Sequence, residues 1–327
     1  MAKYAPFLRI QISINMKKAG IIGGSGFIGS YITKQFLDHG FQVKASTTDI
    51  TNKEKYEHLM VFNHAENLYI SELNILDKLA LKDFVSDCDV VIHSGTPFIL
   101  EVTDPKTELL DPTIKGTENV LHVVHNTPSV EKLVFIASVG AYNTNFPFPA
   151  GTKSFTDTFD ETDVKFISTE SHPYAQAKFI ANKTVDSFIK KNPDLHFEIS
   201  SVSPVMVIGK ALSERKDSTS GGIQSLIKNN LAPNDFMKAV FDNDVPFAMV
   251  IVEDVAIATY KTATTNGIHG KNYLLTSETY KVSDIQAMLN NKNPKENPTI
   301  IYQNNLAKQE LDMQFTPVKE TLNNYFN

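Results

Sequence analysis

The sequence predicts an α/β protein built on a doubly wound parallel sheet with helices on both faces, followed by a smaller C-terminal region. Three observations predict it. Short apolar strands alternate with amphipathic helices from Lys18 onward, a glycine-rich turn joins the first strand to the first helix, and the regular alternation breaks down beyond Pro204. A chain of 327 residues can bury a large core as one big domain or two closely joined ones.

The elements follow in order. Ala19 to Gly23 is an apolar strand, and Phe27 to Asp38 is an amphipathic helix ending before Gly40. Phe41 to Ser46 and Leu68 to Leu73 read as the next strands, Asp77 opens a helix, and Asp89 to His93 is a buried strand. Leu109 to His125 is a longer helix, followed by strand Lys132 to Ala137, helix Tyr174 to Lys190 and strand Phe197 to Val202. Further on, Ser213 to Gly222 reads as a loop, and Met249 to Val252, Val255 to Thr262 and Tyr273 to Leu275 restore strand, helix, strand. Ser283 and Gln286 form a capping box for a helix through Leu289, and Asn291 to Pro298 is a polar connection.

Residues 1–15 are an extension ahead of the fold, too short and polar in its apolar alternation for a signal-peptide core. Residues 16–205 form the expected Rossmann-type unit, to which 249–272 returns, leaving 206–248 and 273–327 as a substrate-binding region. A net charge of −6, with no block of Lys and Arg, argues against a nucleic-acid surface. No apolar run approaches the roughly 20 residues that span a bilayer. The single cysteine, Cys88, permits no internal disulfide, so a reducing, cytoplasmic setting is expected. No metal site is expected.

Gly23-Gly24-Ser25-Gly26-Phe27-Ile28-Gly29 sits between the first strand and first helix. Glycines at 23, 26 and 29 allow a tight turn, close approach of a pyrophosphate and close helix-to-strand contact. The helix N-terminus adds free N–H groups and a positive dipole end. This spacing resembles the extended short-chain dehydrogenase/reductases of the NAD-dependent epimerase/dehydratase superfamily, and within them the dihydroflavonol-reductase-like branch.

The resemblance implies a dinucleotide held by Gly23, Ser25, Gly26, Phe27, Ile28 and Gly29. NAD enzymes usually end the second strand in an acid for the ribose hydroxyls, but here Ser46-Thr47-Thr48 stands there, with no acid before Asp49. The branch's NADP-type arginine is also missing, Thr48 standing in its place, while Lys55 falls where a second basic contact often lies. NADP(H) is therefore preferred, with NAD(H) possible. Asn74 and Ile75 occupy the segment that meets adenine, and Ser94, Gly95 and Thr96 the strand end that lines the cofactor. Pro97 follows on the substrate side, and Pro204 and Val205 resemble the proline segment beside the nicotinamide.

Tyr174 and Lys178 are spaced to share one helix face, and Ser138 follows a strand at the carboxyl edge of the sheet, where ligands bind in open α/β folds. Carbonyl reduction needs a proton donor, a charge that tunes it and a group that orients the oxygen. Tyr174, Lys178 and Ser138 fill those roles; by resemblance Lys178 also holds the nicotinamide ribose. Asn143 lies at the spacing from Ser138 at which dihydroflavonol reductases carry a substrate-contacting Asn.

The reading is thus a reductase of a small aldehyde, ketone or dihydroflavonol-like carbonyl compound, acting as monomer or homodimer. Two alternatives stay open. A nucleotide-sugar epimerase or dehydratase shares the residues, although the arginines that usually clamp a diphosphate are reduced here to Arg9 and Arg215. A non-catalytic dinucleotide sensor is the other. Phe146, Phe148, Phe155, Phe159, Phe166, Phe236 and Met237 are divided between an apolar pocket and the core.

Overall fold

The computed structural model describes residues 16–95, 103–213 and 219–323. Strands β1 (Lys18–Ile22), β2 (Gln42–Thr47), β3 (Leu68–Glu72), β4 (Val90–His93), β5 (Lys132–Ile136), β6 (Glu198–Pro204), β7 (Met206–Ile208), β8 (Pro246–Ile251), β9 (Asn272–Leu275) and β10 (Glu278–Lys281) form two sheets. The larger has seven parallel strands in the order β3-β2-β1-β4-β5-β6-β9. The smaller has the order β10-β8-β7. The strand order reverses between β1 and β4, which creates a crevice at their carboxyl ends.

Alternation along β1 decides which side of the sheet each residue serves. Ile21 joins a cluster with Ile32, Phe36 and Leu37 of helix α1 (Phe27–Asp38), whereas Ile22 faces the other side. There it meets Leu81 and Phe84 of α2 (Lys78–Val85), Val120 and Val124 of α3 (Asp111–His125) and Val185 of α4 (Pro173–Lys191). Gly40, at φ +78°, supplies the left-handed residue between α1 and β2 that side chains rarely adopt. Asp77 caps α2 by accepting from the Leu79 and Ala80 N–H groups.

A third cluster fills the C-terminal region: Met237 and Val240 of α6 (Asp235–Asp242), Phe247 of β8, and Ile285 and Met288 of α8 (Val282–Leu289). Its α5 spans Thr219–Asn229. Helix α7 (Val252–Thr264) adds Val255, Ala256 and Ala258 to the cluster of the large sheet, and α9 (Asn305–Leu311) and α10 (Val318–Asn323) finish the chain. Of the segment expected to return to the first unit, the strand lies in the small sheet while α7 covers the large one. β9, further on, closes the large sheet beside β6.

Two expectations are corrected. The stretch Ser213 to Gly222 is not all loop: Gly221 and Gly222 lie inside α5, which begins at Thr219. Ser283 does not cap α8, whose N-cap is Lys281. Its N–H and hydroxyl instead donate to the Asp244 carboxylate at 2.8 and 2.9 Å. Among the described residues no helix is long and apolar enough to cross a membrane.

Candidate active site

One cleft of about 1310 Å³ runs from the glycine turn, across the carboxyl ends of β1, β4, β5 and β6, to the small sheet. At its dinucleotide end the glycines act by what they leave out. A Cβ on Gly23, at φ +76°, would stand 2.7 Å from Gly95 Cα, and one on Gly29 would stand 2.0 Å from the Gly23 carbonyl oxygen. The β1 and β4 ends and the first turn of α1 can therefore approach only without side chains. The Gly23 N–H donates to Ser46 Oγ at 2.8 Å, which fixes the turn to the end of β2. N-cap Gly26 provides no side-chain cap and the first turn of α1 holds no acid, leaving its leading N–H groups for an anion. These residues fit a dinucleotide pyrophosphate.

Beside them, the Lys55 ammonium donates to Thr48 Oγ1 at 2.8 Å. The nearby acids are turned to the backbone. Asp49 Oδ1 accepts from the Thr51 N–H and hydroxyl, and Glu72 Oε2 from the Ile50 N–H. The Thr51 bonds, the hydroxyl's first, hold the Asp49 carboxyl below its ordinary range. Asn74, Ile75, Ser94, Gly95, Pro204 and Val205 all line the cleft, Asn74 spending one lone-pair direction of Oδ1 on the Leu76 N–H. Thr96 and Pro97 lie outside the described residues, as do Arg9 and Arg215.

The chemical end is held by α4. His172 Nδ1 accepts from the Tyr174 N–H at 3.2 Å and Pro173 occupies the first turn, so the helix begins just before the tyrosine. One turn on, the Lys178 ammonium donates to the Ile136 carbonyl at 3.0 Å and lies 5.9 Å from the Tyr174 ring centre. The Ser138 hydroxyl accepts from the Gly140 N–H at 3.1 Å and stands near enough to the Tyr174 phenol to favour its ionised form.

Burial governs the ionisation of this cluster. It pushes the Tyr174 phenol up, partly offset by the nearby Ser138 hydroxyl, and brings the Lys178 amine down to about 8. It also lowers His93 to about 3, with the Lys178 charge adding to the effect. His93 is thus a neutral packed ring, set edge-on to Phe135.

Asn143 is not brought to the cleft, which corrects the expectation of a substrate contact. It is fully buried, its amide donating to the Phe148 carbonyl and the Tyr302 hydroxyl while Oδ1 accepts from the Asn145 N–H. Asn145, unremarked in the sequence, lines the cleft instead, with Thr144, Ser171 and His172. Of the apolar residues singled out, Phe146, Phe148 and Phe236 line it, Phe159 and Met237 are buried core, Phe166 packs against the core and Phe155 is exposed.

Residues 19–275 match the model of the NAD dependent epimerase/dehydratase family. The chain belongs to that family. It is 31% identical over 253 residues to a cinnamoyl-CoA reductase of Medicago truncatula, a match covering 76% of this chain and 74% of the relative. With an anthocyanidin reductase of Vitis vinifera it shares 26% over 288 residues, 87% of this chain and 83% of the relative. Among solved structures, Gre2 of Candida albicans in complex with NADPH superposes at a TM-score of 0.77 with 24% identity, covering 94% of this chain and 96% of that one. The likeness extends to the fold of nearly the whole chain.

Proposed function

We propose that this protein is an NADPH-dependent reductase of a small carbonyl compound, in the class of aldehydes, ketones and dihydroflavonol-like ketones. The observation that carries the reading is the Tyr174–Lys178 pair, one helical turn apart with Ser138 beside the phenol, inside a cleft continuous with the glycine turn. The curated relatives named above are reductases, which supports the same reaction type. NADPH held at the turn supplies the hydride.

The chain's own residues supply the rest. Tyr174, kept protonated by burial, hands its phenolic proton to the carbonyl oxygen as negative charge develops there. Ser138 orients that oxygen and stabilises the charge. Lys178, cationic at neutral pH, favours the phenolate left behind. The apolar wall of Phe146, Phe148, Phe236 and Phe247 excludes water from the reacting end. Thr48 and Lys55 support NADPH over NADH, because no free acid stands where the ribose hydroxyls of NAD are usually held. A single cysteine, with no partner for an internal disulfide, supports a reducing, cytoplasmic setting.

The test is NADPH and NADH consumption across aldehydes, ketones, dihydroflavonols and nucleotide sugars, with Tyr174→Phe as control. The expected result is NADPH-dependent carbonyl reduction that falls at least ~100-fold in the variant while NADPH binding persists. Tight binding with no turnover of any carbonyl would refute it.

A further inference from the structure

Asn145 carries a feature that neither the cofactor nor the Ser138-Tyr174-Lys178 cluster uses. Its side chain lines the cleft three residues along the loop from Tyr142 and shares that wall with Phe146 and Phe148. Its amide orientation is set from behind. The Ser171 hydroxyl lies 2.9 Å from both Asn145 Oδ1 and Thr144 Oγ1, and Thr144 Oγ1 accepts in turn from the Ser168 N–H at 2.9 Å. An amide oxygen only accepts, so the one Ser171 proton is committed to Asn145, and Thr144 satisfies Ser171 with its own. This relay is built from side chains that are themselves buried, Thr144 at 2% and Ser171 at 9% exposure.

The consequence falls on the other end of the amide. With Oδ1 held by Ser171, the two N–H donors of Asn145 point away from the relay, and no acceptor among the described residues bonds to them. Donors with no protein partner, fixed in a mostly apolar wall, form a recognition element for an acceptor that arrives with the ligand. Ser171 lies just ahead of α4, so the relay also ties this loop to the helix that carries Tyr174.

Building on the reductase reading above, we infer that Asn145 is a specificity-determining residue that donates to a second oxygen of the substrate, apart from the carbonyl being reduced. The preferred substrates are then carbonyl compounds bearing another uncharged oxygen acceptor, such as dicarbonyls and oxoesters.

Matched pairs test it: benzaldehyde against phenylglyoxal, and hexanal against ethyl acetoacetate, each followed with NADPH for wild type, Asn145→Ala, Asn145→Asp and Ser171→Ala. In Asn145→Ala the fall in kcat/KM is about tenfold larger for the oxygen-bearing member of each pair, the size expected for one hydrogen bond, and appears mainly in KM. Asn145→Asp keeps an acceptor for Ser171 but loses the donors, so it discriminates at least as strongly. Ser171→Ala leaves Asn145 present but unanchored and gives a smaller change of the same sign. NADPH fluorescence titration reads the same dissociation constant in all four proteins. Equal losses for both members of each pair, or none for either, overturn the assignment while leaving the reductase reading intact. A wild type that reduces other carbonyls but neither oxygen-bearing member overturns the assignment alone, and one that reduces no carbonyl overturns both.

Discussion

Replacing Lys178 by Met should make the ligand-free protein more stable at neutral pH while removing its activity. Lys178 is 7% exposed, and burial lowers its amine from 10.5 to about 8. At about 1.4 kcal/mol per pK unit, holding it charged in the folded state costs about 3 kcal/mol. Met keeps the length of the chain without the charge, but leaves the Ile136 carbonyl without its ammonium donor, a loss of about 1 kcal/mol. The net expectation is a gain of about 2 kcal/mol at pH 7. The advantage has a defined pH window. Below pH 8 folded and unfolded chains both carry the proton and the cost is fully present. Between 8 and 10.5 the unfolded chain keeps a proton that the folded one has lost, so the wild type recovers stability as pH rises. Other groups run the opposite way there: Cys88 is raised to about 12 and Tyr174 is raised above its ordinary value, so both favour unfolding in alkali. They are common to both proteins and cancel in the difference. Urea unfolding of wild type and Lys178→Met at intervals from pH 6 to 10 measures it. A difference that does not change with pH, or a variant less stable at pH 7, would refute the burial argument.

Lys55→Ala should weaken NADPH about tenfold and NADH little, as expected for one charge-assisted contact to a phosphate partly exposed to solvent; fluorescence titration of both cofactors checks it, and equal weakening would remove Lys55 from the 2′-phosphate. Gly29→Ala places a Cβ 2.0 Å from the Gly23 carbonyl oxygen, so α1 must move off the turn. Loss of dinucleotide binding by more than about tenfold is expected, with a melting temperature lowered by several degrees. Unaltered binding would mean that the turn is not where the pyrophosphate sits.

Features set by local chemistry were legible in the sequence. The apolar runs of β1, β4 and β5, the glycine turn and the helix placing Tyr174 over Lys178 each depend on neighbours within a few residues. Features decided by distant partners were not. Ser283 has the spacing of a cap, yet Asp244, 39 residues away, takes both its N–H and its hydroxyl. The start of α5 was hidden because Ser218, Thr219, Ser220, Gly221 and Gly222 have loop propensities, and what supports the helix is its packing through Ile223 and Ile227 onto the small sheet and α8. The strand β9 is short and carries no mark of which sheet it joins. That is settled by pairing with β6 and by the Glu161 carboxylate, which accepts from the Leu274 N–H.

Asn143 and Asn145 show how far residue type falls short of role, and Asn143→Ala turns the point into a measurement. The two lie on the same loop and are chemically identical. Asn143 spends both amide hydrogens and its oxygen inside the protein, on the Phe148 carbonyl, the Tyr302 hydroxyl and the Asn145 N–H. Tyr302 is 5% exposed and burial pushes its phenol up to about 12, so no water replaces the lost partner easily. Truncation strands two buried acceptors and one donor, each costing about 1–3 kcal/mol if left unmade, with partial relaxation bringing the total to about 3 kcal/mol. Thermal and urea unfolding should therefore register the change directly. Kinetics should register it only secondarily, through an Asn145 whose backbone has lost its tether, so the oxygen-bearing member of each pair suffers slightly more, as in Ser171→Ala. A variant of normal stability with a raised KM would reverse the assignment, making Asn143 the substrate contact and Asn145 its support.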